Sequence, residues 1–345
     1  GWFADRNDDK DAAAKWFAAA EAGDMDYVFP FRLETVKPLE KAIEYNPNSV
    51  MAWYYLGNLW YQKQPAKAMS CWEKAVELRP DFAMALRNLG WGCHYFTGEL
   101  RKGADWYKKA IAADKDGNAI FLTECDEILE QLNAPLEERY ELFAGRESLY
   151  EKRYDSETRA IRLRILKGEY EQVLDKLLTR FYARREHIED LHDIYVDACM
   201  LSGFREWKSG NNEKALEYML MTNEYPANHG YAHLEYYARD AQVYYNIGMA
   251  YEKVGDAAKA REYYAKAAAV VVKPVDCVYN YEKALAMLKL NPKADVKPMF
   301  REMLKFGEES VTDYVERFFE SFDYGPRPED VNTKAYYTQG LAWKA

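Results

Sequence analysis

A glycine recurs inside three stretches that otherwise follow a helical pattern, and its spacing constrains the fold more than any other feature of the chain. In "WYYLGNLW", Trp53, Leu56, Gly57 and Trp60 hold four positions of one helical register. Leu86, Leu89, Gly90 and Cys93 of "LRNLGWGC" repeat those offsets 33 residues later. Tyr244, Ile247, Gly248 and Tyr251 of "YYNIGMAY" repeat them again. Glycine inside a helix costs about 1 kcal/mol relative to alanine, so its recurrence needs a packing reason. Each stretch is followed by a second periodic run. These are Ala68, Trp72 and Ala75 closed by Pro80; Gly103, Tyr107 and Ala110; and Ala260, Tyr264 and Ala267 before Pro274. The pattern predicts paired helices in which the first gives up a side chain where the second must approach. Pro80 ends its helix because proline cannot continue the hydrogen-bond ladder. One such pair cannot bury its faces alone, so copies must stack.

Composition narrows the function classes. The chain has 345 residues, a formal net charge of -10 and 15% aromatic residues. An acidic chain lacks the basic face that nucleic acid or an anionic membrane would require. No apolar run reaches the ~18 residues of a membrane span. The five cysteines, Cys71, Cys93, Cys125, Cys199 and Cys277, are widely spaced and form no C-x-x-C pair. They are expected to be buried free thiols in a reducing compartment, which points to the cytoplasm. The abrupt start at "GWFADRNDDK" and the end at "AYYTQGLAWKA" predict a piece of a longer protein.

The glycine-centred units resemble the tetratricopeptide repeat, a helix–turn–helix of about 34 residues. The copy around Gly248 fits without a gap. The copy around Gly57 is one residue short in its turn, and the copy around Gly90 is one long near Thr97-Gly98. Leu166–Leu178 and Ser209–Pro226 read as weaker copies, each a turn plus a second helix. The expected fold is all-α, a right-handed α-solenoid of helix pairs, some degenerate. Residues 1–28 are expected as a lead-in helix and loop, and 29–272 as the repeat array. In the array, Phe29–Pro47 reads as a second helix lacking its first. Residues 273–345 are expected as a helical extension, broken by Pro274, Pro292, Pro298 and "YGPRPED" (Tyr324–Asp330).

The resemblance implies that positions 2, 5, 9 and 12–13 of each first helix face a concave groove. They are Met51, Tyr54, Asn58, Tyr61 and Gln62; Met84, Arg87, Trp91, His94 and Tyr95; and Gln242, Tyr245, Met249, Glu252 and Lys253. Aromatic, Met and Arg side chains are the composition of a recognition surface, and equally of packing between repeats. Some tetratricopeptide co-chaperones clamp a C-terminal carboxylate with Lys, Asn and Arg at such positions. Asn58 and Asn88 match the two asparagines. Tyr54 replaces the first lysine, and "NAIFLTE" offers no further cation, so that clamp is not expected.

Over roughly residues 29–345 the order of segments is similar to the C-terminal half of a family of large bacterial proteins. These join an N-terminal β-sandwich of galactose-mutarotase type to a tetratricopeptide array. The most specific piece is "NEYPANHG" (Asn223–Gly230), at the place of a Tyr-Pro-x-Asn-x-Gly stretch; "YAHLEYYARD" then departs from the family pattern. The resemblance implies a link to sugar-related proteins and supplies no reaction.

Catalytic motifs are absent: no Walker loop, G-x-G-x-x-G, G-x-S-x-G or H-E-x-x-H occurs. His229 and His233 have i, i+4 spacing, but a zinc site needs further ligands. His187 and His192 lie in a charged patch with Glu189, Asp190 and Asp193. Such a patch is more often a solvated face than a catalytic pair. His187, Asn228, His229 and His233 remain loop candidates for a binding site. No metal or cofactor is expected. The expected function is a non-catalytic interaction or scaffolding module. It would hold a peptide, a partner protein or an N-terminal β-sandwich of the same polypeptide, with self-association as a further expectation. The alternative is an accessory domain of a carbohydrate-active protein, with a saccharide as ligand and any catalysis outside this chain.

Overall fold

Serine, proline and aspartate mark where the helices begin. Ser49 accepts from the Ala52 amide, Asp9 from Ala12 and Asp256 from Lys259, each satisfying a backbone donor that the first helical turn leaves free. Pro65 occupies the first position of its helix, where its missing N–H costs nothing. The computed structural model describes residues 1–24, 28–182, 191–230, 236–322 and 341, and contains no strand among them.

Two compact units emerge, Gly1–Ala160 and Ile161–Ala345. This division does not coincide with the expected boundaries at residues 28 and 272. The first unit holds α1 (Trp2–Arg6), α2 (Lys10–Glu21), α3 (Val36–Tyr45), α4 (Val50–Trp60), α5 (Pro65–Leu78), α6 (Ala83–Gly92), α7 (Leu100–Ala113), α8 (Ala119–Gln131), α9 (Leu136–Phe143) and α10 (Glu147–Tyr150), then enters α11 (Tyr154–Leu166). The second continues with α12 (Tyr170–Thr179), α13 (Leu191–Lys208), α14 (Asn212–Met221), α15 (Asp240–Lys253), α16 (Ala257–Ala269), α17 (Asn280–Leu290) and α18 (Lys297–Phe322). In each unit successive helices pack as hairpins, α4 on α5, α6 on α7, α13 on α14 and α15 on α16, and neighbouring hairpins stack. This is the helix-pair arrangement of an α-solenoid.

Gly57 shows why the hairpins close. An ideal Cβ there would lie 2.5 Å from Trp72 Nε1 and 3.1 Å from the Ala68 carbonyl oxygen. The bare backbone of α4 therefore lets the Trp72 indole approach closely, 2% exposed. Gly90 meets Tyr107 and Gly248 meets Tyr264 in the same way. A fourth contact of this kind joins Gly203 to Met219 and Ala215. It makes α13 and α14 a full repeat where only the second helix was expected.

The extra residue of the Gly90 copy is absorbed in a single π-helical turn, Cys93–Thr97, closed by Gly98 at φ +69°. A π turn inserts one residue into a helix without breaking it. The helix expected to lack a partner, α3, has one: Tyr45 donates to Asp5 at 2.8 Å and meets Phe17 in a tilted ring contact at 5.3 Å. In the extension, Pro274 opens a 3-10 turn (Pro274–Tyr279), Pro292 follows the end of α17, and Pro298 lies in the first turn of α18. Tyr324–Asp330 lies outside the described residues.

Candidate functional site

The helix A face of the first unit is built by α4, α6, the π turn and α8. Asn58 is its hub. Its side-chain oxygen accepts from Trp72 Nε1 and from Asn88 Nδ2, both at 2.9 Å. The two asparagines that match the carboxylate clamp therefore bond to each other and tie one repeat to the next. Arg87, beside them, donates through Nε to Glu124 at 2.8 Å and through its terminal nitrogens to Glu124 and Asn88. Burial opposes the charge of Arg87, but the bonds it donates to Glu124 hold its pKa above the ordinary value. His94 meets Gln131 at 3.1 Å.

Above this polar ladder lies a shelf of rings. Trp91 stands edge-on to Tyr61 at 5.6 Å and to Phe96 at 5.1 Å, and leans on Tyr95 at 4.8 Å; His94 and Tyr95 are 4.2 Å apart. Trp91 and Tyr61 are half-buried and Tyr95 is 48% exposed. Gln62 donates to the Tyr61 hydroxyl at 3.0 Å, and Met84 is exposed on α6. The π turn is what lets successive residues face different ways, Cys93 and His94 buried and Tyr95 outward. Met51 and Tyr54 differ from the expectation. Both belong to the core between α4, α5 and α6, with Tyr54 packed on Phe82 at 4.8 Å, and burial raises the Tyr54 pKa.

In the second unit the corresponding face is ionic. Arg239, only 8% exposed, donates to the Asp193 carboxylate and carbonyl, to Asp197, and through Nε to Gln242 at 3.2 Å. Gln242 in turn donates to Glu282 at 3.2 Å. Tyr237 donates to Asp193. Tyr245 and Met249 are half-buried in the cluster with Tyr264. Glu252 accepts from Tyr264 and Lys289, and Lys253 reaches toward Trp207.

The histidine candidates resolve into structural roles where they are described. His229 Nε2 bonds the Leu177 carbonyl at 2.7 Å, so Nε2 carries the hydrogen. Asn228 donates to the carbonyls of Leu177 and Arg180, both at 2.7 Å. "NEYPANHG" thereby caps the C-terminus of α12, whose last carbonyls lack helical partners. His192 is buried and stacks on Tyr225 at 3.8 Å, so it is not part of a solvated patch. His187, Glu189, Asp190 and His233 lie outside the described residues. Among the described residues no group of three or more His, Cys, Asp or Glu is arranged to hold a metal, and no helix is long and apolar enough to cross a membrane. All five cysteines are buried free thiols. Burial pushes Cys71 up to about 11 and Cys125 and Cys199 to about 12, which leaves them poor nucleophiles.

Sequence reasoning missed Glu124, Gln131, Asp197, Arg239 and Glu282 on these faces. It also missed Gly203, whose 12-residue spacing to Ala215 equals that of Gly248 to Ala260 and was visible.

Comparison with known proteins agrees with the repeat geometry. Tetratricopeptide-repeat family models match residues 58–118 and 241–270. No curated protein matches the chain. Among solved structures, a tetratricopeptide repeat protein from Parabacteroides merdae is 15% identical with a TM-score of 0.38, covering 80% of this chain and 99% of its own. The yeast Sti1 TPR2AB domain, solved with an Hsp90 peptide, is 17% identical with a TM-score of 0.34, covering 84% and 100%. YrrB, described as having an unusual peptide-binding site, is 16% identical with a TM-score of 0.31, covering 76% and 96%. Family models and helix-pair geometry together identify the segments 58–118 and 241–270 as tetratricopeptide repeats.

Proposed function

We propose that this chain is a non-catalytic interaction module whose first unit holds an extended segment of a partner protein across the shelf of Tyr61, Trp91 and Tyr95. The observation that carries the reading is the state of Tyr95 and Trp91. They occupy groove positions of their repeat, neighbouring rings brace them at 4.2 to 5.6 Å, and Tyr95 still keeps 48% of its surface exposed. Half-exposed aromatic rings held rigid by neighbours are efficient anchors, because little side-chain entropy is lost on binding.

The chemistry of the shelf also selects the ligand. Glu124 already neutralises Arg87 and the two asparagines bond each other, so these three side chains are already engaged and do not await a carboxylate. Recognition therefore goes by apolar and aromatic side chains, with weak salt dependence. The test is a peptide array probed with the whole chain, followed by titration of the best peptide. Amidating that peptide's C-terminus should leave its affinity unchanged, and Tyr95→Ala should weaken it at least tenfold without altering the far-UV spectrum. Equal binding by Tyr95→Ala would sink the shelf as the site. A panel of oligosaccharides run in parallel addresses the alternative, because a sugar ring can also stack on Trp91. A saccharide response without a peptide response would move the protein to the accessory role in carbohydrate chemistry.

A further inference from the structure

The first 55 residues carry an unassigned surface built by α1, α2, α3 and the start of α4. Helices α1, α2, α3 and the start of α4 enclose an open cavity of about 570 Å³. Phe17, Leu39, Met51 and Tyr55 line it as buried or half-buried walls, and the exposed Arg32 and Glu34 stand among its polar lining. Large exposed side chains lie on its lining, Phe3 and Trp16, and on the segment that brings Arg32 and Glu34 to it. Phe3 is 78% exposed, Trp16 60%, Phe29 75%, Phe31 80% and Leu33 60%. Six of the fourteen exposed large hydrophobics among the described residues fall between Phe3 and Leu33, so the exposure is concentrated rather than scattered.

The area decides what such a surface can do. At ~200 Å² per large aromatic, the four exposed rings alone offer about 600 Å². With Leu33 and Val28 the apolar surface approaches the ~800 Å² that one partner contributes to a standard protein interface. Soluble monomers rarely leave that much exposed in one region.

We infer that this surface binds a second copy of the same chain, in a two-fold arrangement. Three features favour a copy over another occupant. The surface carries a hollow and projecting rings together, so Phe29 or Phe31 of one molecule can fill the cavity of the other while the reverse contact forms at the same time. A two-fold contact needs this kind of self-complementarity. The charges are also self-complementary: Arg32 and Glu34 are two residues apart and of opposite sign, so each can face the other's counterpart across the axis. Glu21, the remaining carboxylate of the lining, already accepts from the Ser49 hydroxyl and the Met51 amide, so its oxygens have partners within the chain. This surface is separate from the ring shelf of α4 and α6, so the inference stands independently of the function proposed above.

Sedimentation velocity on the whole chain over a hundredfold concentration range tests it. The expected result is a concentration-dependent dimer. Phe31→Asp and Trp16→Asp, both at exposed positions, should each raise the dimer dissociation constant at least about tenfold with unchanged helicity. A charge swap provides the stricter arm. Arg32→Glu alone and Glu34→Arg alone should weaken self-association, and mixing the two variants should restore it as a heterodimer. A wild-type chain that stays monomeric throughout, or dimers indifferent to Phe31→Asp and Trp16→Asp, would overturn the inference. So would a mixture of the charge variants that fails to pair. A monomer would leave a different macromolecule as the occupant of this face.

Discussion

In the unit Gly1–Ala160 the helix A face carries rings over a neutralised polar ladder; in the unit Ile161–Ala345 the corresponding face carries a buried arginine among carboxylates. Both rest on one framework, the small-residue contact at Gly57, Gly90, Gly203 and Gly248. The difference teaches that the tetratricopeptide hairpin fixes where helix A residues point and leaves open what they do there. Rings at these positions stay partly exposed because another ring covers only an edge or part of a face. Arg239 is drawn inward because three acceptors, Asp193, Asp197 and Gln242, converge on it. The first arrangement leaves ring surface exposed; the second spends its polar groups on holding α13, α15 and α17 together.

The comparison breaks most visibly at buried charge. In the first unit Asp126 is fully buried, with Arg139 at 2.7 and 2.9 Å and Arg159 at 2.8 Å. Replacing it by alanine leaves the two guanidiniums with the half-exposed Glu130 and, for Arg159, Glu127 at 3.7 Å, and should cost about 3 kcal/mol. Arg239→Met in the second unit should cost less, ~1–2 kcal/mol, because Asp193 and Asp197 keep 38% and 52% of their side chains exposed and can rehydrate. Urea unfolding followed by circular dichroism checks the order. Equal losses would mean that the two ionic clusters are buried alike.

Next comes the shared framework. Alanine is normally the better helix former by about 1 kcal/mol, yet Gly57→Ala and Gly248→Ala should each destabilise by ~1–3 kcal/mol through overpacking against Trp72 and Tyr264. In a stack of repeats the damage should stay local. Hydrogen exchange should quicken in α4–α7 for the first variant and in α15–α16 for the second. Gly57→Ala should also loosen the shelf, since moving Trp72 disturbs its bond to Asn58. A stabilised Gly57→Ala protein would refute the close-approach account.

How far the sequence reaches follows from range. Gly57, Gly90, Gly248, Pro80 and the extra residue near Thr97 are local marks, and they located the hairpins. Gly203 escaped because its flanks lack the usual apolar signature. Ser202 is buried by bonding its own helix at Ala198, and Glu206 is held by Asn211 and Lys214. The helix A positions were legible as positions, but their exposure was not. Tyr54 and Tyr245 look alike in sequence, and packing on Phe82 within the cluster of α4, α5 and α6 makes Tyr54 core. Asp193 and Arg239 are 46 residues apart, and no spacing rule links them.

The smallest effect sharpens the ionic side of the comparison. Burial raises the pKa of Glu282, while the bond from Gln242 and the charge of Arg239 pull the other way. A carboxyl whose folded pKa is raised contributes stability that is full below its unfolded value, about 4.3, and is lost as pH climbs through the folded value. Glutamine stays neutral and can still accept from Gln242. Glu282→Gln should therefore match the wild type near pH 4 and exceed it at neutral pH, by under ~1 kcal/mol. Thermal melts at the two pH values read the difference directly. A variant less stable at neutral pH would show that Arg239 needs the Glu282 charge, which would make the second unit's inner face a four-membered ionic cluster rather than an arginine held by two aspartates.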